Sequence, residues 1–300
     1  MLHPIEFPKP ELNYLMSVDL TVSESFDLCT KIIETIHGGT VTGKLKGTLH
    51  SGSGHWNTGN QIDGKYILET TEKKIIPIDV QGASNDGKLQ LRLFFHTGEK
   101  EYTWLNHVTV IGVGSVSDGH YRFDCYTLGD HPDGDHMESF FPKPLLEHLY
   151  YVNVEVSEFL QAGKLPEGSH MVIPITGGRF EGERLSGTIV NLGADWNFLR
   201  QRLPVTSHVS TRYLLKTDDG AYLSLFTDGR MKMGLDGIMA FARKKPDPLK
   251  YYFKQHLMFT TGDPRYAWLN DALCVATVAN TPEMQVCYDA YQVIFEPRED

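Results

Sequence analysis

The chain is poor in the features that mark several protein classes. Its four cysteines, Cys29, Cys125, Cys274 and Cys287, show neither the Cys-x-x-Cys spacing of zinc sites nor the density of a secreted disulfide scaffold, so reduced thiols are expected. A turn at Asn280 and Thr281 would set Cys274 opposite Cys287 as neighbouring buried thiols. No basic stripe relieves a formal net charge of -10. That balance repels phosphate backbones and anionic bilayers and argues against nucleic-acid and membrane partners. The opening MLHPIEFPKPELNYLM has early prolines and acids and no unbroken apolar run. It reads as neither signal peptide nor membrane span, and a cytoplasmic protein is expected. Glycine-rich nucleotide loops, His-Glu-x-x-His and Gly-x-Ser-x-Gly are missing too, which sets aside nucleotide, zincin and hydrolase-elbow chemistry. No cofactor and no metal are expected.

What the chain does contain is a repeat. LMSVDLTVSE from Leu15 matches LYYVNVEVSE from Leu149, and both alternate apolar with polar residues as half-buried strands do. HGGTVTGKLKGTLHSGSGHW from His37 matches TGGRFEGERLSGTIVNLGADW from Thr176, aligning Gly39, Gly43 and Gly47 with Gly178, Gly182 and Gly187. YILETTE from Tyr66 matches YLLKTDD from Tyr213, and FHTGEKEYTWLN from Phe95 matches FTTGDPRYAWLN from Phe259. Asp124 and Tyr126 align with Asp289 and Tyr291. Blocks in one order mean tandem duplication, with domains expected over 1–148 and 149–300. Many short strands with Gly, Asn and Asp turns suit a closed antiparallel barrel or sandwich. The stretch from His131 to Pro144 reads as the linker; His131 and His136 are read there as solvated residues rather than metal ligands. Helices are expected over Asp236–Lys245, with Asp236 as N-cap, and over Ser23–Ile36. Asp218-Asp219-Gly220 reads as a hairpin turn.

The blocks TGDPRYAWLN, ITGGRFEG, GADW and LKTDDGAYL resemble the family called domain of unknown function 3237, over Ile173–Val293, with a weaker echo in the first half. There His55-Trp56 stands where the pattern has Asp-Trp. The resemblance implies an all-β fold: two tandem antiparallel, calycin- or lipocalin-like β-barrels with few short helices, related by a pseudo-two-fold axis as in an internal dimer. Proteins similar to this family occur in natural-product gene clusters, which implies a role in polyketide or terpenoid biosynthesis.

A small barrel admits a ligand where inward side chains leave room, with aromatic walls and a few polar groups to orient it. Trp56 and Trp196 follow Gly-rich approaches. Tyr102 and Trp104, and likewise Tyr266 and Trp268, alternate as on one face of a strand, with Asn106 and Asn270 two residues on. Such aromatics serve equally as core, and such asparagines as turn residues. His55 is the sharpest acid–base candidate, with Tyr102, Asp195 and Arg265 beside it as catalytic candidates. Glu69, Trp56, Trp104, Asn106, Trp196, Tyr266, Trp268 and Asn270 are the substrate-binding candidates. Arg265 either clamps a carboxylate or enolate or pairs with Asp263. The resulting expectation is a cofactor-free cyclase acting on a small hydrophobic substrate, with a hetero-Diels-Alder cycloaddition as the concrete case. An isomerase or dehydratase, a ligand carrier and a purely structural module are the alternatives. A homodimer is compatible with each.

Overall fold

The computed structural model describes residues 5, 7, 9–129, 136–166 and 168–296. The first half runs through β1 (Leu12–Asp27), β2 (Ile32–Gly43), β3 (Gly47–Leu49), β4 (Gly54–Asn57), β5 (Gln61–Thr70), β6 (Ile75–Asn85), β7 (Lys88–Phe95), β8 (Val110–Ser117) and β9 (His120–Leu128). Pairing is antiparallel throughout. Short β3 and β4 share one place between β2 and β5, and β1 pairs with both β9 and β2, so eight staves close into a barrel. The second half repeats this with β10 (Leu145–Val156), β11 (Leu160–Leu165), β12 (Gly168–Glu181), β13 (Gly187–Arg200), β14 (Val205–Thr217), β15 (Tyr222–Met233), β16 (Tyr251–Thr260), β17 (Cys274–Asn280) and β18 (Val286–Ile294). Here β10 bridges β18 and β12 to close the barrel, and β11 is a hairpin extension on the start of β12.

Period-two patterning builds these walls. Along β7, Leu89, Leu91, Leu93 and Phe95 are buried while the residues between them are half-exposed; along β14, Val209, Thr211, Tyr213 and Leu215 point inward. Closure then removes the unpaired edges a flat sheet of such strands would expose. The repeated glycines have a shared steric cause. A Cβ on Gly47 would stand 2.1 Å from the Glu69 carbonyl oxygen, and one on the matching Gly187 would stand 2.2 Å from that of Lys216. Each glycine lets two strands cross at backbone contact. Gly187→Ala is therefore expected to destabilise the second barrel by about 2–3 kcal/mol, measured as a lowered midpoint in urea unfolding.

Two compact units divide the chain. One is Leu146–Val293 with the N-terminal residues up to Lys9, and the other is Pro10–Leu145 with the residues from Ile294. In the former, Ile5 and Phe7 cover Tyr151, Ala279 and Cys287 on the outside of the barrel.

Three local expectations are corrected. Ser23–Ile36 is not a helix: β1 and β2 continue as a hairpin arm in the register Ser25 to Glu34 and Asp27 to Ile32, turning at Cys29 with φ 67°. Ile32, Ile33, Thr35 and Ile36 are β-branched and favour the extended form. The second expected helix exists but is shorter, α1 (Leu235–Ala242), and Gly234 rather than Asp236 occupies its N-cap. Cys274 faces Gln292 and Cys287 faces Ala279, because the β17–β18 turn lies at Thr281–Gln285, later than expected. None of the four cysteines, all among the described residues, forms a disulfide. His131 lies outside the described residues, and His136 stacks on Tyr14 at 5.2 Å.

Candidate functional site

The interior of the second barrel is hollow at one end. Strands β12 to β16 and β18 direct Met171, Ile173, Leu199, Val205, Val209, Met231, Met233, Phe253 and Val286 into a chamber of about 390 Å³. Its mouth is flanked by Phe159 and Met284 and by Ile238 and Phe241 of α1, the insert that the first half lacks. Phe241 is held by an edge contact with Tyr251, ring centroids 5.3 Å apart. Below lies a smaller space of about 60 Å³, reaching Thr211, Tyr213, Thr227, Gln255 and Tyr288. Ile173, Asp195, Val209, Phe253 and Val286 line both spaces. At the floor, Tyr288 is hydrogen-bonded to Tyr213 and, at 3.2 Å, to Tyr150. Burial raises all three phenols well above their ordinary range, so they remain protonated donors.

Asp195 thus sits where the two spaces meet, in a wall otherwise mostly apolar. It alternates inward along β13 with Asn197 and Leu199. Oδ1 accepts from the Ser210 backbone N–H at 3.0 Å and Oδ2 from Asn197 Nδ2 at 3.1 Å. Asn197 is itself fixed by Ser207, whose hydroxyl donates to Oδ1 at 2.7 Å. Asp195 is half-buried and lines both spaces. Burial pushes its pKa above the ordinary carboxylate value, and hydrogen bonds from Asn197, Ser210 and Thr211 offset only part of the rise. A neutral carboxyl can donate a hydrogen bond to a ligand oxygen, which a carboxylate cannot.

The equivalent place in the first barrel is filled. By strand register, Glu34 and His55 are opposite each other as Ile173 and Asp195 are, and the sequence repeat puts Tyr66 at Tyr213 and Tyr121 at Val286. Glu34 Oε2 accepts from His55 Nδ1 at 3.2 Å, from Asn57 Nδ2 at 2.9 Å and from the Tyr121 hydroxyl at 2.8 Å. Because the carboxylate only accepts, Nδ1 of His55 carries a proton; in the neutral ring, Nε2 accepts from the Tyr66 hydroxyl at 2.6 Å. The His55 and Tyr121 rings meet edge to face at 4.8 Å. The hydrogen bond from His55, then those from Tyr121 and Asn57, hold Glu34 below its ordinary pKa.

Of the twelve residues singled out from the sequence, only Asp195 lines the chamber. His55 has no exposed surface and both its nitrogens are engaged. Trp56 and Trp196, each one residue past an inward position, face outward at 37% and 44% exposure. Tyr102 precedes a 3-10 turn holding Trp104 and Asn106, and Tyr266, Trp268 and Asn270 lie in its counterpart, so neither set forms a strand face. Asn106 and Asn270 bridge the backbones of Thr97 and Thr261, donating to O and accepting from N. Trp268 lies under the Arg184 guanidinium at 4.1 Å. Arg265 grips Asp263 with Nη2 at 2.7 Å and Asp219 with Nη1 at 2.8 Å at the surface, and Glu69 pairs with Lys73. Asp263-Pro264, a capping residue followed by a helix-starting proline, was the signal for a turn. The parity of Asp195 along β13 likewise marks Asn197 as a partner on the same face.

Comparison with known proteins matches residues 144–293 to the family described as "Protein of unknown function (DUF3237)". A UPF0311 protein from Rhodopseudomonas palustris is 30% identical over 154 residues, 50% of this chain and 99% of its own length. Its crystal structure, described as a conserved protein of unknown function, superposes with a TM-score of 0.47. A beta-barrel like protein from Acinetobacter baumannii AYE is 37% identical, covering 51% of this chain and 97% of its own, with a TM-score of 0.45. An enzyme from Penicillium herquei is 20% identical over 55% of this chain and 99% of its own, with a TM-score of 0.36. With a matched second barrel and a first barrel that repeats its strand order, the chain is a tandem duplication and belongs to the DUF3237 family.

Proposed function

We propose that the second barrel takes up a small, largely apolar organic molecule and promotes its rearrangement without a cofactor, with Asp195 as the hydrogen-bond donor. The supporting observation is a single half-buried carboxyl group in the wall of a mostly apolar chamber, with its pKa raised by burial above the ordinary carboxylate value. The concrete reaction is a hetero-Diels-Alder ring closure in polyketide or terpenoid biosynthesis, a setting suggested by the family resemblance. Two π bonds become two σ bonds and nothing leaves. Asp195 donates a hydrogen bond to the carbonyl oxygen of the heterodiene, drawing electron density from it, and keeps its proton at the end. Holding both reacting ends together lowers the barrier by about 7 kcal/mol at the low end of effective-molarity values, and one well-placed donor adds about 3 kcal/mol.

The test incubates the protein with conjugated enone and quinone-methide precursors and follows products of unchanged mass by chromatography and mass spectrometry. A new isomer formed faster than in buffer supports catalysis. A compound bound and returned unchanged reduces the protein to a carrier. Filling the chamber separates binding from both: Met231→Trp and Val209→Trp are each expected to weaken the binding of Nile red at least about thirtyfold, by fluorescence titration, with circular dichroism unchanged.

A further inference from the structure

Beside the chamber mouth lies a second concavity, of about 440 Å³, lined by Lys164, Arg200 and Arg202 together with Gly168, Ser169 and Gln201. Gln201 lines both spaces, so they adjoin. Strand register explains the convergence. Lys164 of β11 is opposite Ser169 of β12, which is opposite Leu199 of β13, a chamber residue directly followed by Arg200. The three cations take part in no ion pair with another described residue, whereas Arg179, Arg230 and Arg265 of the same barrel are all paired with carboxylates. Glu167 lies outside the described residues; the described lining carries three cations and no carboxylate, in a chain of net charge -10.

We infer that the ligand of this barrel is an amphipathic acid, its apolar body in the chamber and its carboxylate at Lys164, Arg200 and Arg202. This rests on the reading of the chamber as a ligand site. Two arginines and a lysine supply a fork-shaped and a mobile donor set suited to a carboxylate, and the exposed rim lets the charge stay hydrated while the body is buried. It also orients the molecule, because only one end can remain at the mouth.

The experiment compares cis-parinaric acid with its methyl ester by fluorescence titration at pH 7.5, in the wild type and in a Lys164→Gln/Arg200→Gln/Arg202→Gln variant. The wild type is expected to prefer the acid by about tenfold, and the variant to bind the ester unchanged while losing that preference. Equal binding of acid and ester by the wild type, or a preference retained in the variant, overturns the inference and leaves the chamber standing. Binding of neither overturns both. Sedimentation with phosphatidylglycerol vesicles that depends on the three cations, without a preference for the free acid, would assign the patch to a lipid surface instead and also overturn the inference.

Discussion

Asp195→Asn is expected to slow the proposed rearrangement by about 10²–10³-fold while changing ligand affinity only a few-fold. The amide oxygen still accepts the Ser210 N–H, while the amide nitrogen takes the place of the oxygen that accepts from Asn197 and so gives up that one hydrogen bond; an amide is a far weaker donor to a ligand oxygen than a neutral carboxyl. The pH profile supplies an independent sign. Burial raises the Asp195 pKa, and the active form is the protonated one. The rate is therefore flat at low pH and falls as pH rises through a value above the ordinary carboxylate range of about 3.9. In Asp195→Asn this descending limb disappears. Stability moves the same way: the folded state holds the proton longer than the unfolded chain. The contribution of this group is full below the unfolded pKa and declines as pH climbs through the folded one. Steady-state rates and thermal midpoints across pH 3–8 read both effects, and an unchanged limb in the variant would remove Asp195 from the chemistry.

Glu34→Ala is expected to cost the first barrel about 3–5 kcal/mol, a fall of about 10 °C in its thermal midpoint. One carboxylate oxygen accepts three donors there, and its loss leaves His55 Nδ1, Asn57 and the Tyr121 hydroxyl without that acceptor. Linkage sets the pH dependence. Glu34 is held below its ordinary pKa, so its contribution is present above the unfolded value, near 4.3, and is lost as pH falls through the depressed folded value. The variant should lack that acid limb. Binding of Nile red should be unaffected, because the cluster belongs to the other barrel and lines no part of the chamber. A destabilisation below about 1 kcal/mol would show that the cluster is not a structural plug.

The contrast between the barrels also explains what was legible in the sequence. Repetition and alternation disclosed the duplication and strand walls, because each wall residue obeys a local period. Asp195 was legible through its place in a repeated motif, where His55 stands in the other copy. The chamber was not, since emptiness depends on which residues from six strands converge, and Ile173, Val209 and Val286 look like any core. Glu34 escaped notice because its segment reads as a helix until the β1–β2 pairing is known. The Tyr and Trp residues at 102–104 and 266–268 misled for a related reason. Their i, i+2 spacing mimics a strand face, and 3-10 turns, the second of them started by Asp263-Pro264, take precedence over it.

The central claim, that one barrel is a container and the other a filled copy, is tested most directly by the stoichiometry of Nile red binding in isothermal titration of the full chain. One molecule per chain, abolished by both Met231→Trp and Val209→Trp, is the predicted result. Two molecules per chain, or one that survives both substitutions, would contradict it.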